Sequence, residues 1–274
     1  MLEKQEKETA FQKLEKLIGM ENVKREVEAL QRQKEYADES HGFNLHYVIT
    51  GNSGTGKTTA VRLIGEALYE LGYLKNGHII KVTRDDLVAV YVGQTAIKTK
   101  EKIEEAMGGV LFIDEAYSLA NGGDGDFGQE SISAIIEAMT DRNGQFSVII
   151  AGYPDEMKAF IDSNPGLKRR FLNTIHIDDY EPDELLQIFY YNLQNNPKYI
   201  TSEKLSAVLD SFFENWHKSR GKNWGNAREV EKLLQKMDSN WHKRNGEKSA
   251  EGELILDICD IPDNLQQYIE LRKC

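Results

Sequence analysis

The chain has 274 residues, of which 40% are hydrophobic and 29% charged. That is enough apolar material for one large domain with a smaller companion, and too much for a disordered acidic polymer. Lysine and arginine number 34 against 45 aspartates and glutamates, a net charge of −11 that disfavours general binding to nucleic acid or anionic membrane while leaving room for a local basic site.

Residues 1–16 are charged and periodic, without the apolar centre of a signal peptide. No apolar run approaches the roughly 20 residues of a membrane span. The expectation is a cytoplasmic protein. Its two cysteines, Cys259 and Cys274, are too few for a disulfide framework, and neither lies near a histidine at zinc spacing. They read as a buried thiol and a frayed terminal one. The six histidines are scattered, with none beside a cysteine or acid at catalytic spacing.

In chain order, residues 3–17 read as an exposed helix with Phe11, Leu14, Leu17 and Ile18 on one side. A second helix covers about 21–36, with Val23, Val27 and Leu30 at helical spacing. Short apolar runs at 46–50, 78–82, 110–113, 147–151 and 174–177 then read as strands. The first, third and fourth are continuous, as suits strands buried on both faces. Helical patterns such as Ile132, Ile135, Ile136 and Met139 lie between them, so the predicted class is α/β with a parallel sheet flanked by helices. Beyond Asp179 the pattern is purely helical. Pro182 suits a first helical position, Thr201 or Ser202 a cap, and Asn226 with Glu229 a capping box. Residues 1–40 are thus expected as N-terminal helices, 41–178 as the α/β domain, and 179–274 as a small all-helical domain. Trp216, Trp224 and Trp241 fall in the helical stripes of that last domain and read as its core.

Gly51-Asn52-Ser53-Gly54-Thr55-Gly56-Lys57-Thr58 matches G-x-x-x-x-G-K-[ST] without a mismatch, after a predicted strand and before a helical pattern. Glycines let successive N–H groups curl round an anion, and the helix start adds its positive dipole end. Lys57 would reach the β- and γ-phosphates of ATP and Thr58 would join a Mg²⁺ shell, with Thr59 next in the nucleotide-contacting set. The run Val110-Leu111-Phe112-Ile113 ends in Asp114-Glu115. Downstream of a phosphate loop, Asp114 can hold Mg²⁺ and Glu115 can orient and deprotonate the attacking water. No L-S-G-G-Q segment is present, against a transporter-type ATPase. Residues 121–128 are acidic but lack the glycine and glutamate positions of a calcium loop, and read as a connecting loop.

With these residues in place the chain resembles the AAA+ ATPases, and among them the branch of red-type Rubisco activase and the stage V sporulation protein K relatives. The resemblance runs through Leu17-Ile18-Gly19-Met20-Glu21-Asn22-Val23-Lys24, the phosphate loop, Tyr91-Val92-Gly93-Gln94-Thr95-Ala96 and Phe112-Ile113-Asp114-Glu115-Ala116-Tyr117. It continues through Phe127-Gly128-Gln129-Glu130, Ala151-Gly152-Tyr153-Pro154, the segment from Ser163 to Phe171, and Gly225-Asn226-Ala227-Arg228. It implies that Ile18 and Gly19 border the adenine, that Arg170 (with Arg169 as the alternative) is an arginine finger serving a neighbouring subunit, and that Arg228 is the second sensor on a helical lid. Tyr91, Val92 and Gly93 fall at the pore loop that grips a polypeptide; the plain alternative is that 87–92 is a buried strand. Tyr153 stands where many relatives carry the asparagine of the first sensor, a departure the branch shares, and is counted with the nucleotide-binding set. The implied protein is a homohexameric ATPase that remodels an unidentified protein substrate, with no nucleic-acid or membrane partner. An ATP-gated scaffold is the alternative, since the motifs report the nucleotide cycle and not mechanical work.

Overall fold

The five apolar runs fold as one parallel sheet. A computed structural model of the chain describes residues 8–36, 44–91, 93–120, 127–195, 199–221, 224–246 and 254–269. The strands are β1 (Tyr47–Gly51), β2 (Ile79–Val82), β3 (Val110–Asp114), β4 (Ser147–Gly152) and β5 (Asn173–Ile177), in the order β2-β3-β4-β1-β5. Every pairing is parallel. The three continuously apolar runs are the three inner strands, buried along almost their whole length, whereas edge strand β5 alternates with Ile175 and Ile177 inward.

Alternation along the strands divides the apolar residues between two faces. Val48, Leu111, Ile113, Val148 and Ile150 form one core with Ile132, Ile135 and Met139 of α6 (Gly128–Asp141) and Met157 and Phe160 of α7 (Pro154–Asp162). Helix α3 (Lys57–Glu70) follows the phosphate loop, packs on β1 and β4, and is covered by α1 (Ala10–Glu15) and α2 (Glu21–Tyr36). The first helix is closed at its start by Thr9, whose Oγ1 accepts from the Gln12 N–H while Gln12 returns the bond. Residues 3–7 of the helix expected there lie outside the described residues. Helices α4 (Arg84–Leu87) and α5 (Thr95–Glu105) complete the β2–β3 connection, and α8 (Pro165–Arg170) precedes β5.

The buried strand considered for 87–92 does not form over its described residues, 87–91. Thr83 and Asp86 make a capping box that starts the short helix α4, so the chain after Leu87 leaves the core instead of pairing with an edge. Leu87 is fully buried, but Val90 and Tyr91 are 86% and 71% exposed.

By contacts the chain falls into two units, Met1–Gly51 with Gly56–Asp178, and Asn52–Thr55 with Asp179–Cys274. In the second, α9 (Pro182–Gln194), α10 (Glu203–Lys218) and α11 (Ala227–Asn245) are joined by β6 (Tyr199–Thr201) and β7 (Leu254–Leu256), a parallel pair. The helical reading of this region lacked that pair, because three-residue strands are too short to show a period. Phe189, Phe212, Phe213 and Trp216 build its aromatic core, with Trp224 edge-on to Trp216 at 5.0 Å between centroids. Trp241 is buried and donates from Nε1 to the Ile255 carbonyl at 2.9 Å. Pro182 opens α9, and Ser202 caps α10 by accepting from Leu205 N.

Two expectations are corrected. Asn226 and Glu229 form no capping box: Asn226 stands at φ 49, ψ −127 and its side chain makes no cap bond. Cys259 is exposed, not buried, because its neighbour Asp260 takes the interior place to receive Arg244. Cys274 lies outside the described residues. Among the described residues no helix is long and apolar enough to cross a membrane.

Buried His46, just before β1, ties the start of that strand to neighbouring β4, its Nδ1 accepting from Val148 N at 3.0 Å, with Phe146 and Phe171 edge-on to the ring. Burial, and then the Arg170 charge, push the imidazole down to about 4. The unfolded chain therefore takes up a proton near its ordinary value while the folded one does not. Stability from this group is complete above about pH 6.5 and is lost as pH falls toward 4. Thermal unfolding should show a declining midpoint between about pH 6.5 and 5, and His46→Asn should flatten that slope.

Candidate functional site

Parallel strands bring their carboxyl ends to one edge, and the register here decides which ends abut. Thr50 of β1 lies opposite Gly152 of β4, and Ala151 of β4 opposite Asp114 of β3. Gly51, Tyr153 and the Asp114-Glu115 pair are thereby collected at the sheet's carboxyl edge, where open α/β sheets bind ligands. Gly152 has to be glycine: a Cβ there would meet the Tyr117 ring at 2.7 Å and Met157 Sδ at 2.8 Å.

Lys57, at the first turn of α3, donates to the Gly51 carbonyl at 2.8 Å, and its ammonium stands 5.2 Å from the centroid of the Tyr153 ring. Gly56 precedes it at φ 90, the left-handed conformation that ends the loop. Thr58 is exposed on the same turn and Thr59 half-buried. Asp114 is partly buried and paired through Oδ2 with Lys81 Nζ at 2.8 Å. Lys81 lies opposite Phe112 in the β2–β3 register, which carries its ammonium along β3 toward the aspartate. Glu115 follows at φ 50. The Tyr117 hydroxyl is pushed up to about 12, by burial first and then by the Glu115 carboxylate.

Among the described residues the non-glycine positions with positive φ are Met20, Glu115 and Asn226. Each belongs to a segment already singled out for function, and such conformations persist where the surroundings over-determine them. Ile18 and Gly19 form the turn between α1 and α2, with Gly19 at φ 64.

The crest of the phosphate loop, Asn52–Thr55, belongs with the C-terminal unit. Arg228, in the first turn of α11, donates from Nη1 to Ser53 Oγ at 2.9 Å. Thr55 is buried, its hydroxyl closing the loop on the Asn52 carbonyl at 3.0 Å. Gly54 stands at φ 71, and a Cβ on it would lie 1.9 Å from the Gly225 carbonyl oxygen.

Other predicted residues sit apart from this group. Arg170, the last residue of α8, donates from Nε and Nη2 to Thr140 Oγ1 on α6, while Arg169 is exposed. Tyr91 is exposed beyond α4, with its carbonyl accepting from Gln94 N; Gly93 is exposed at φ 77, and Val92 lies outside the described residues. Sequence reasoning passed over Lys81, Tyr117, Asp179 and the inward use of Asn226. Asn226 and Tyr117 carried a signal, as members of the Gly-Asn-Ala-Arg and Phe-Ile-Asp-Glu-Ala-Tyr segments.

No group of three or more His, Cys, Asp or Glu among the described residues is arranged to hold a metal ion. The oxygen donors at hand are the Thr58 hydroxyl and the Asp114 carboxylate. One hydroxyl and one carboxylate suit a hard cation that keeps its waters and shares phosphate oxygens.

Residues 47–178 match the ATPase family associated with various cellular activities (AAA), and residues 181–269 match the AAA lid domain. The chain is 42% identical over 229 residues to ribulose bisphosphate carboxylase/oxygenase activase of Cyanidioschyzon merolae, covering 80% of this chain and 77% of that one. It is 44% identical over 179 residues to stage V sporulation protein K of Bacillus subtilis, covering 63% and 56%, and 38% identical over 231 residues to protein CfxQ of Xanthobacter flavus, covering 81% and 72%. Among solved structures, the AAA domain of FIGL-1 in complex with ADP superimposes with a TM-score of 0.66 at 15% identity, over 94% of this chain and 84% of that one. A Thermotoga maritima RuvB mutant gives 0.60 at 19%, over 84% and 66%. The parallel sheet, the lid and sequence identity over most of the chain agree, and the protein belongs to the AAA ATPase family, beside Rubisco activase, CfxQ and stage V sporulation protein K, as an enzyme that hydrolyses ATP.

Proposed function

We propose that this ATPase is Mg²⁺-dependent, works as a homohexameric ring, and spends hydrolysis on remodelling a protein substrate drawn through its centre. The observation that carries the reading beyond hydrolysis is the exposure of Val90 and Tyr91. An aromatic and an aliphatic side chain held out in water, on a segment whose base is buried at Leu87, cost solvation and suit contact with another polypeptide. The activase among the relatives supports the same reading.

In this scheme the N–H groups of residues 51–58 hold the ATP phosphates, Lys57 neutralises the β- and γ-oxygens, and Ile18, Gly19 and Tyr153 border the nucleotide. Thr58 and Asp114 would hold Mg²⁺, which would supply positive charge against the phosphates. Glu115 takes the proton of the attacking water, from a left-handed backbone position just past the end of β3. Arg228 answers to the γ-phosphate from the lid, and Arg170 of a neighbouring copy stabilises the transferring phosphoryl group. Arg170 rests on a neutral hydroxyl, Thr140, and not on a carboxylate, so leaving that partner costs little.

Glu115→Gln should retain ATP and lose about 100-fold or more in turnover. Lys57→Ala should lose nucleotide binding, seen by titration with a fluorescent ADP. Arg170→Ala should lose on the order of 10³-fold in turnover with ADP affinity kept, and mixing it with Glu115→Gln should restore part of the activity by pairing one intact finger with one intact base. Full activity of Arg170→Ala alone, with Arg169→Ala inactive, would move the finger to Arg169. Tyr91→Ala should lower the amount of substrate remodelled per ATP hydrolysed. A protein pulled down by the Glu115→Gln trap that the unaltered ATPase never unfolds with ATP would instead make the ring a scaffold.

A further inference from the structure

Asn226 turns its side chain away from the helix it begins. It is fully buried, and its Nδ2 donates to the Ser53 carbonyl at 3.1 Å and to Asp179 Oδ1 at 2.8 Å. Its Oδ1 accepts from Tyr180 N at 3.1 Å, so both amide hydrogens and the oxygen are used. Asp179 also receives Asn52 Nδ2, at 3.0 and 3.1 Å to its two oxygens. Next along the loop, the Gly54 carbonyl accepts from Ala227 N at 3.3 Å, and the Thr55 carbonyl from the Tyr180 hydroxyl at 3.4 Å. Three consecutive carbonyls of the crest are thus held by the start of the lid. All of these groups belong to the C-terminal unit.

In a trans peptide the carbonyl and the following N–H point opposite ways. Holding the Ser53, Gly54 and Thr55 carbonyls on the lid therefore turns the N–H groups of Gly54, Thr55 and Gly56 the other way, as the successive donors of an anion-binding nest. The left-handed backbone of Asn226 and the close approach of Gly54 to Gly225 are the strain this arrangement carries. We propose that Asn226, fastened by Asp179, is a positioning residue through which the lid sets the amide cradle for the nucleotide phosphates. The lid then acts on ATP in two ways, by the Arg228 charge and by the shape of the loop itself. The proposal rests on residues 51–58 being the phosphate loop.

The test is the release of a fluorescent ADP, followed by stopped flow, with melting temperatures measured with and without ADP. Asn226→Ala and Asp179→Ala should each speed release by about tenfold, the worth of a lost buried hydrogen bond, and shrink the ADP-induced rise in melting temperature. Asp179→Asn keeps an acceptor oxygen for Asn226 and Asn52 and should behave nearly as the unaltered protein. A merely structural role would lower the melting temperature without ADP and leave the release rate alone. Wild-type release from both alanine variants overturns the proposal, and so does an Asp179→Asn variant as impaired as Asp179→Ala. Should Asn226→Ala not fold, the Asp179 pair decides alone. If Lys57→Ala binds ADP as well as the unaltered protein does, the phosphate-loop reading itself fails, an outcome distinct from the others.

Discussion

Strand β1 is hydrogen-bonded on both sides, to β4 and β5, and buried at every residue. A chain leaving such a strand can neither continue in the sheet nor bury unpaired amides, so it must turn at once and find partners for its backbone. In this protein that turn is the candidate phosphate loop that begins at Gly51. Its carbonyls are taken up by the lid, and the start of α3 follows directly. The rest of the architecture serves that one constraint: β4 lies beside β1 and β3 beside β4, so that Tyr153, Asp114 and Glu115 emerge at the edge where the loop does.

Charge follows the same logic. The chain is strongly acidic as a whole, with a net charge of −11, yet ATP is a polyanion. The cations Lys57 and Lys81 stand at the carboxyl edge of the sheet, and Arg228 at the loop crest. Oriented N–H groups and these few cations act over a few ångströms, where distant surface carboxylates are screened. The Lys81–Asp114 pair is half in solvent on the lysine side and of modest energy, so it orients the carboxylate without holding it firmly.

Much of this was legible residue by residue. The glycines and Lys57-Thr58 in register announce an anion loop whatever the fold around them, because their chemistry is local. The inner strands were legible because burial on both faces leaves no polar alternation. Segment 87–92 was ambiguous, since its apolar residues fit a strand; the capping box of Thr83 and Asp86 decided otherwise. Asn226 misled for a related reason: Asn-x-x-Glu scores as a cap locally, while its amide satisfies more buried groups by facing Asp179 and Ser53. Strands β6 and β7 left no trace, being too short to carry a period.

The sequence by itself determined the family, the five strands of the main sheet and the candidates for meeting ATP, because those depend on side-chain type and near-neighbour spacing. Only the tertiary structure decided that Lys81 answers Asp114, and that Asn226 and Asp179 hold the crest of the loop. Each of those joins residues through strand register or a buried polar network. Such pairings are set by which groups would otherwise be left unsatisfied, and no local pattern records that.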